Sequence, residues 1–340
     1  GSPMPHARCM QIPETDKDSL RLLFLAKHAL SDGSPDALDG THATYHHELR
    51  STLEAIGLNV TAANDFSALL APTAFDFAVP LYNRAGFRAS EMLAPLLCEW
   101  QRVPYMGGAP VVRGLTDDKH RMKQVVRSLG ITTPDWAYYP IGGLDLSEPR
   151  FPWERLIVKP NASSASWGIR DFDSWSAARA HVFKLQEEGH DVVVEAYIPG
   201  FDIAASVVGS IQPWYLPIIR YRNEGSEVRT YEEKRNLVPS ATEHVVLFEP
   251  ELVAKVRGSC EAIVNDLWPF DHGRLEFRVH EQTGEIYFIE INVNCNLWSQ
   301  KTIAAAARCI GDCHQELIET IVCHSMMRQG VLARKQVRAA

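Results

Sequence analysis

GRLEFRVHEQTGEIYFIEINVN, residues 273 to 294, is the stretch on which the fold and function of this chain turn. In its first half Leu275, Phe277 and Val279 point one way, while Arg274, Glu276 and Arg278 point the other. A polar turn, His280 to Glu285, leads into a second alternating run in which Glu290 and Asn292 share a face. Period-two alternation on both sides of a short polar turn predicts a β-hairpin. Three readings fit its polar side chains. Glu276, Glu290 and Asn292 could face water, as one side of an antiparallel sheet often does. Arg274 and Arg278 could neutralise the glutamates in a structural cluster. The third reading is a divalent cation. Strands paired around the turn bring Glu276 and Glu290 together across the ladder. Two carboxylates ~4 Å apart at an effective dielectric of ~20 repel by about 4 kcal/mol, so they need a cation or a shared proton. Two Glu and one Asn are hard oxygen ligands of the kind Mg²⁺ takes, with water and phosphate oxygens completing its octahedron.

The bulk properties narrow the class. A chain of 340 residues exceeds the usual single core, so two or three packed subdomains are expected. Composition is 46% hydrophobic and 22% charged, as in an ordinary soluble globular protein. A net charge of −8 argues against nucleic acid or an anionic membrane as the main partner. No apolar run approaches a ~20-residue span and no signal-peptide pattern opens the sequence, so a cytoplasmic enzyme is expected. Gly1-Ser2-Pro3 ahead of Met4 reads as a cloning remnant. The seven cysteines are scattered. Cys313-His314 and Cys323-His324 lie in helix-like sequence without a Cys-x-x-Cys partner, so free thiols are expected rather than a zinc site.

Along the chain, residues 1–17 are polar and expected to be poorly ordered. LRLLFLAKH reads as a buried parallel strand, and HATYHHELRSTLEAIG as a helix stopped at Gly57. FDFAVPLY followed by SEMLAPLLCEW repeats that order, and VPYMGG adds a short strand, giving an α/β unit with a parallel sheet. DDKHRMKQVVRSLG is an amphipathic helix closing on Gly130. RLIVKP and DVVVEAYI are strands with WSAARAHVFKLQEEG as a helix between them, and the sequence from FDIAASVVG onward is strand-rich before two final helices. The tail ARKQVRAA is basic and expected to fray.

Two more stretches carry chemistry. In LIVKPNASSASWGIRDF, residues 156–172, a strand delivers Lys159 into a loop of small residues ending at Gly168. Small side chains let backbone N–H groups approach phosphate oxygens, and the lysine adds a point charge. A Walker loop is excluded because Gly-Lys-Ser/Thr is missing; an ordinary flexible loop is the alternative. In VVVEAYIPGFD, residues 192–202, Glu195 is followed by Tyr197-Ile198 and a Pro-Gly turn. An adenine suits such an edge, with Asp202 placed for ribose hydroxyls, and a plain strand and turn is equally natural.

Taken in order, YMGGAPVVRGLTDDKHRMKQ, LIVKP, SASWG, VVVEAYIPG, YEEKR, GRLEFRV and FIEIN resemble the ATP-grasp superfamily, most closely its D-alanine–D-alanine ligase branch, from about Tyr105 to Asn292. The resemblance implies an α/β fold of three subdomains, with nucleotide between the central and C-terminal ones. On this chain these would be an N-terminal domain over 18–115, a central subdomain over 116–202 and a C-terminal subdomain over 203–328 carrying the hairpin, with 329–340 a basic tail. It implies roles residue by residue. Lys119 and Lys159 match the lysines that contact ATP phosphates, and Ser166 and Gly168 fall in the loop covering them. Glu195, Tyr197 and Ile198 match the adenine edge and Asp202 the ribose contact. Lys234 matches a lysine on a mobile loop that closes over the phosphates. Glu276, Glu290 and Asn292 match the magnesium ligands, and Arg274 the arginine facing the developing oxyanion. The resemblance selects the metal reading of the hairpin, with Mg²⁺, or Mn²⁺ in its place, and ATP as the nucleotide.

The implied activity is an ADP-forming ligation of a carboxylate to an amine through an acyl phosphate. Small-molecule substrates are implied, and a homodimer is a family expectation. The chain departs from the family where amino acids would bind. After the third strand it reads FAVPLYNRAGFRASEM in place of the His-Gly and Gly-Glu-Asp-Gly pattern, offering Tyr82, Asn83, Arg84 and Arg88. After Asn292 it reads NCNLWSQKTI, which puts Trp298 and Lys301 where the family has Pro-Gly and Ser-Leu. Arg84 and Arg88 are expected to clamp a carboxylate or to be a solvated pair at a helix start. Lys301 is expected to meet the second substrate or to begin a helix. These departures point to an amino-acid ligase of specialised metabolism. The alternatives are D-alanine–D-alanine ligase itself, a ligase acting on a non-amino-acid scaffold or cyclising one substrate, and a non-catalytic nucleotide-binding module.

Overall fold

A computed structural model describes residues 9–82, 85–162, 168–223 and 242–332. Its strands form three sheets of three, six and four strands. The first contains β1 (Arg21–Leu25), β2 (Asn59–Ala63) and β3 (Phe77–Pro80), all parallel, with β1 in the centre. A central parallel strand covered on both faces has no polar side, and Leu22 to Leu25 of β1 are all fully buried. Leu22 and Phe24 face one core, while Leu23 and Leu25 face another beside α3 (Leu93–Gln101). Tyr105 of the expected VPYMGG strand makes only an isolated parallel bridge to Ala78.

The central four-stranded sheet runs in the order β4 (Trp136–Tyr139), β7 (Val192–Ala196), β5 (Leu156–Pro160), β6 (Arg170–Phe172), every pair antiparallel. Helix α6 (Trp175–Glu187) packs on it, and α5 (Lys119–Ser128) starts beside the end of β5. The six-stranded sheet takes β11 (Thr242–Val246), β10 (Ile219–Asn223), β8 (Gly200–Gly209), β12 (His272–His280) and β13 (Ile286–Asn292) in that order, with β9 (Pro213–Tyr215) on β8. Strand β8 begins at Gly200, so the change of sheet falls ahead of the sequence-drawn limit after residue 202. Gly200 is required there: a Cβ would run into the Val279 carbonyl oxygen of β12. Helix α7 (Pro250–Leu267) backs this sheet, and α8 (Thr302–Arg308) and α9 (His314–Arg328) join its other face to the N-terminal sheet in one core. No helix among the described residues is long and apolar enough to cross a membrane.

The N-terminal segment corrects one expectation. Residues 1–17 read as a polar, poorly ordered arm, yet a short helix, α1 (Glu14–Ser19), forms, and Ile12, Asp16 and Lys17 are buried. The cause lies at the far end of the chain. Glu319 of α9 accepts from the Ile12 amide at 2.7 Å and pairs with Lys17 at 3.1 Å, while Thr320 accepts from the Met10 amide.

Asp271, fully buried at the entry to β12, ties three parts of the chain together. Its carboxylate accepts from the Gly107 amide at 2.7 Å, the Ser325 hydroxyl at 2.6 Å and the Arg328 guanidinium at 2.9 and 3.0 Å. Its φ of 67° is one that Asp tolerates better than most side chains. Asp271→Ala leaves those donors, one of them charged, without their acceptor. It is expected to destabilise the protein by about 3–5 kcal/mol, measured as a lower midpoint of urea unfolding.

Candidate active site

The hairpin forms as its alternation predicts, with an irregularity that aims its side chains. Glu276 of β12 stands directly opposite Glu290 of β13, and Arg274 opposite Asn292. The register then shifts so that Phe277 pairs with Phe288, leaving Ile289 as the extra residue of a β-bulge. A bulge turns two successive side chains toward one side, and Ile289 and Glu290 both line the same cavity. Leu275, Phe277 and Val279 turn into the core behind.

That cavity, open to solvent, lies between the four- and six-stranded sheets. Ile157, Ile169, Ala196, Ile198 and Ile289 give it apolar walls. Lys119, Lys159, Asp202, Glu276, Arg278 and Glu290 supply charge, and Glu195 closes its inner end. The two lysines meet because Asn161, two residues beyond Lys159, caps α5. Its side-chain oxygen accepts from the His120 amide at 2.8 Å and its carbonyl from the Lys119 amide at 3.0 Å. Asp118 completes the cap by accepting from the Arg121 amide.

The charges are paired with one another. Glu195, almost completely buried, lies between Lys159 at 2.8 Å and Lys123 at 3.1 Å. Burial opposes its negative charge, but the two ammonium groups outweigh burial and hold the carboxyl well below the usual range. Burial likewise opposes the Lys159 charge, and Glu195 first, then Glu290 and Asp202, outweigh it and raise its pKa. For Lys123 burial wins, and its pKa falls to about 8. Arg274 lies 3.2 Å from Glu276; burial opposes its charge, and Glu276 more than compensates. Arg278 engages the segment between β7 and β8. It donates to the Ile198 carbonyl at 2.7 Å, to Asp202 at 3.1 Å and to the Tyr197 hydroxyl at 3.2 Å, so it props the 197–202 edge.

Of the residues selected from sequence, Lys119, Lys159, Glu195, Ile198, Asp202, Glu276 and Glu290 converge on this cavity. The Glu195 side chain serves the lysines, and the Tyr197 amide donates to the Arg155 carbonyl. Asn292 holds the loop after β13, its side-chain oxygen accepting from the Asn294 amide at 2.9 Å. Gly168 is where β5 and α6 crowd the chain: a Cβ would come within 2.7 Å of Pro160 and 3.0 Å of Leu185. Arg88 is engaged by Asp191 at 2.6 Å, linking the N-terminal segment to the central sheet. Lys301 is the N-cap residue of α8. Ser166, Lys234 and Arg84 lie outside the described residues. Lys123, Asn161 and Arg278 were not selected; only the alternation that puts Arg278 beside Glu276 hinted at one of them.

The residues present fit a divalent cation. Two carboxylates at one register position in a cavity that also holds Lys119 and Lys159 are the donor set a hard metal takes. The seven cysteines are free thiols, and no disulfide links them. His314 donates through Nε2 to the Leu297 carbonyl oxygen at 2.7 Å, and the His324 ring packs edge-on against Trp214.

A family model described as the D-ala D-ala ligase C-terminus matches residues 147–323, just over half of the chain. A D-alanine–D-alanine ligase of Aquifex aeolicus is 26% identical over 228 residues, 66% of this chain and 75% of that protein. A D-alanine–D-alanine ligase B of Pseudomonas putida is 28% identical over 288 residues, 82% and 86% of the two chains. Among solved structures, the Bacillus anthracis D-alanine–D-alanine ligase complexed with ATP superposes with a TM-score of 0.72 at 20% identity, covering 92% of this chain and 99% of that one. The matched family segment contains the hairpin, Lys159 and the 192–202 edge, and the architecture is that of an ATP-grasp fold; the chain belongs to the D-alanine–D-alanine ligase family.

Proposed function

We propose that this chain is an ATP-dependent, ADP-forming carboxylate–amine ligase that joins an amino acid to a second amino acid or amine. The observation that carries the reading is the convergence of Lys119, Lys159, Glu276 and Glu290 on one apolar-walled cavity. Its walls suit a purine and its charged end suits a phosphate chain. Asp202, held by Arg278, is the ribose contact, and the Tyr197–Ile198 edge is the adenine contact. Glu276, Glu290 and Asn292 are the proposed ligands of Mg²⁺, which, when bound, neutralises phosphate oxygens. Ser166 and Lys234 are assigned by resemblance to the covering loops.

In the first step a substrate carboxylate oxygen attacks the γ-phosphorus, and the bond to the β-phosphate oxygen breaks to release ADP. The amine nitrogen then attacks the acyl carbon, passes through a tetrahedral intermediate, loses a proton and expels phosphate. The protein contributes positioning and fixed charge. Lys119 and Lys159 spread the phosphate charge, and Arg274, held by Glu276, faces the oxyanion. Closure by the Lys234 loop would keep water from the acyl phosphate.

The loops around the substrate end favour a pair other than two D-alanines. Residues 293–301 are pinned by α2 (His42–Ile56): Tyr45 accepts from the Leu297 amide, and Glu48 from the Ser299 amide and hydroxyl. That support fixes the start of α8, where Lys301 stands in place of the family serine as the proposed contact for the second substrate. With Arg88 committed to Asp191, the acceptor carboxylate is assigned to Lys301. A phosphate-release screen over amino-acid pairs, with products identified by mass, tests the reading. Turnover with one pair supports the ligase; ATP binding without turnover on any pair supports a binding module.

Glu290→Ala and Lys159→Ala are each expected to lower ADP formation by at least ~10²-fold while circular dichroism stays that of the folded protein; near-normal turnover in either would refute the assignment. Arg278→Ala removes the prop beneath the adenine edge and the cation beside Asp202. It is expected to raise the KM for ATP by about tenfold or more, read in steady-state kinetics with ATP varied.

A further inference from the structure

Behind the cavity, a chain of buried polar contacts joins the two sheets. Lys123, 1% exposed, donates to the Thr133 hydroxyl at 2.8 Å, and that hydroxyl donates to the Phe288 carbonyl of β13 at 2.8 Å. The Phe288 amide in turn donates to the Thr132 carbonyl at 2.8 Å. Residues 132–133 therefore hold both backbone groups of Phe288 along the outer edge of β13, which is the last strand of its sheet. Phe288 is the residue immediately before the bulge that aims Ile289 and Glu290 into the cavity. At its other end Lys123 meets one oxygen of Glu195, whose second oxygen holds Lys159. Neither Lys123 nor Thr133 lines the cavity.

We infer that Thr133 and Lys123 are positioning residues that set the distance between the phosphate lysine and the metal-side carboxylate. The inference rests on reading the cavity as a nucleotide–metal site. Within this set of contacts the Thr133 hydroxyl both takes a hydrogen bond and gives one, so it fixes Phe288, and through the bulge Glu290, relative to Lys123. Lys123 neutralises the first Glu195 oxygen, so that Glu195 does not hold Lys159 with its whole charge. Valine at position 133 keeps the size and branching but leaves the Phe288 carbonyl and Lys123 unmet. Serine restores both bonds.

The test is equilibrium binding of a non-hydrolysable ATP analogue with Mg²⁺, and Mg²⁺ titration at fixed analogue, on the full-length protein and its variants. Thr133→Val is expected to weaken both by about tenfold or more, and Thr133→Ser to lie within about threefold of the parent protein. A Thr133→Val protein with a lowered melting temperature but unchanged binding overturns the inference, as does Thr133→Ser behaving like Thr133→Val. Should Thr133→Val not fold, Lys123→Met is measured instead; it keeps the Thr133–Phe288 bond, so analogue affinity falls while the Mg²⁺ midpoint stays. Unchanged analogue affinity in that variant counts against the inference. Because the readout is binding, nucleotide binding without ligase turnover overturns the proposed reaction alone, whereas a parent protein that binds no analogue overturns both.

Discussion

Two carboxylates, Glu276 and Glu290, occupy one register position across β12 and β13 at the mouth of a partly apolar cavity. Like charges so placed are costly unless positive charge arrives. Cationic side chains gather around the pair. Arg274 reaches Glu276, Arg278 reaches Asp202 and Lys159 reaches Glu195. The hairpin thus brings carboxylates to the cavity where the central sheet and α5 bring lysines. A metal–nucleotide complex, with cation and phosphates in one ligand, satisfies both at once.

The two sheets reach this arrangement by different means. The six-stranded sheet fixes its carboxylates by strand register and a bulge, which allow little freedom. The central sheet fixes its lysines by capping and buried ion pairing: Asn161 joins the end of β5 to the start of α5, and Glu195 keeps Lys159 and Lys123 on one carboxylate. Removing one member of such a buried set costs far more than forming the set gains. Fold stability and site geometry are therefore coupled here. The N-terminal domain contributes from the other side, where α2 holds the loop that carries Lys301.

Much of this was legible in the sequence because it is local. Alternation gave the hairpin and the shared face of Glu276 and Glu290, and the strand ahead of Lys159 gave its exit toward a loop. The order of motifs along the chain gave the fold. What was hidden depends on contacts between distant residues. Arg278 pairs with Asp202 across 76 positions, and Thr133 bonds Phe288 across 155. Glu195 read as part of an adenine edge because its neighbours do, while its side chain turns inward to lysines that no local pattern places beside it. The polar segment around Ile12 and Lys17 looked unstructured for the same reason, since its order comes from Glu319.

The central claim is that the opposed carboxylates hold metal against the nucleotide's terminal phosphates. A crystal structure of the protein soaked or grown with Mg²⁺ and a non-hydrolysable ATP analogue addresses it directly. The account predicts a metal with oxygens of Glu276 and Glu290 at about 2.0–2.1 Å, sharing phosphate oxygens that also meet Lys159. A bound nucleotide whose phosphates lie away from both carboxylates, with no metal between them, would contradict it.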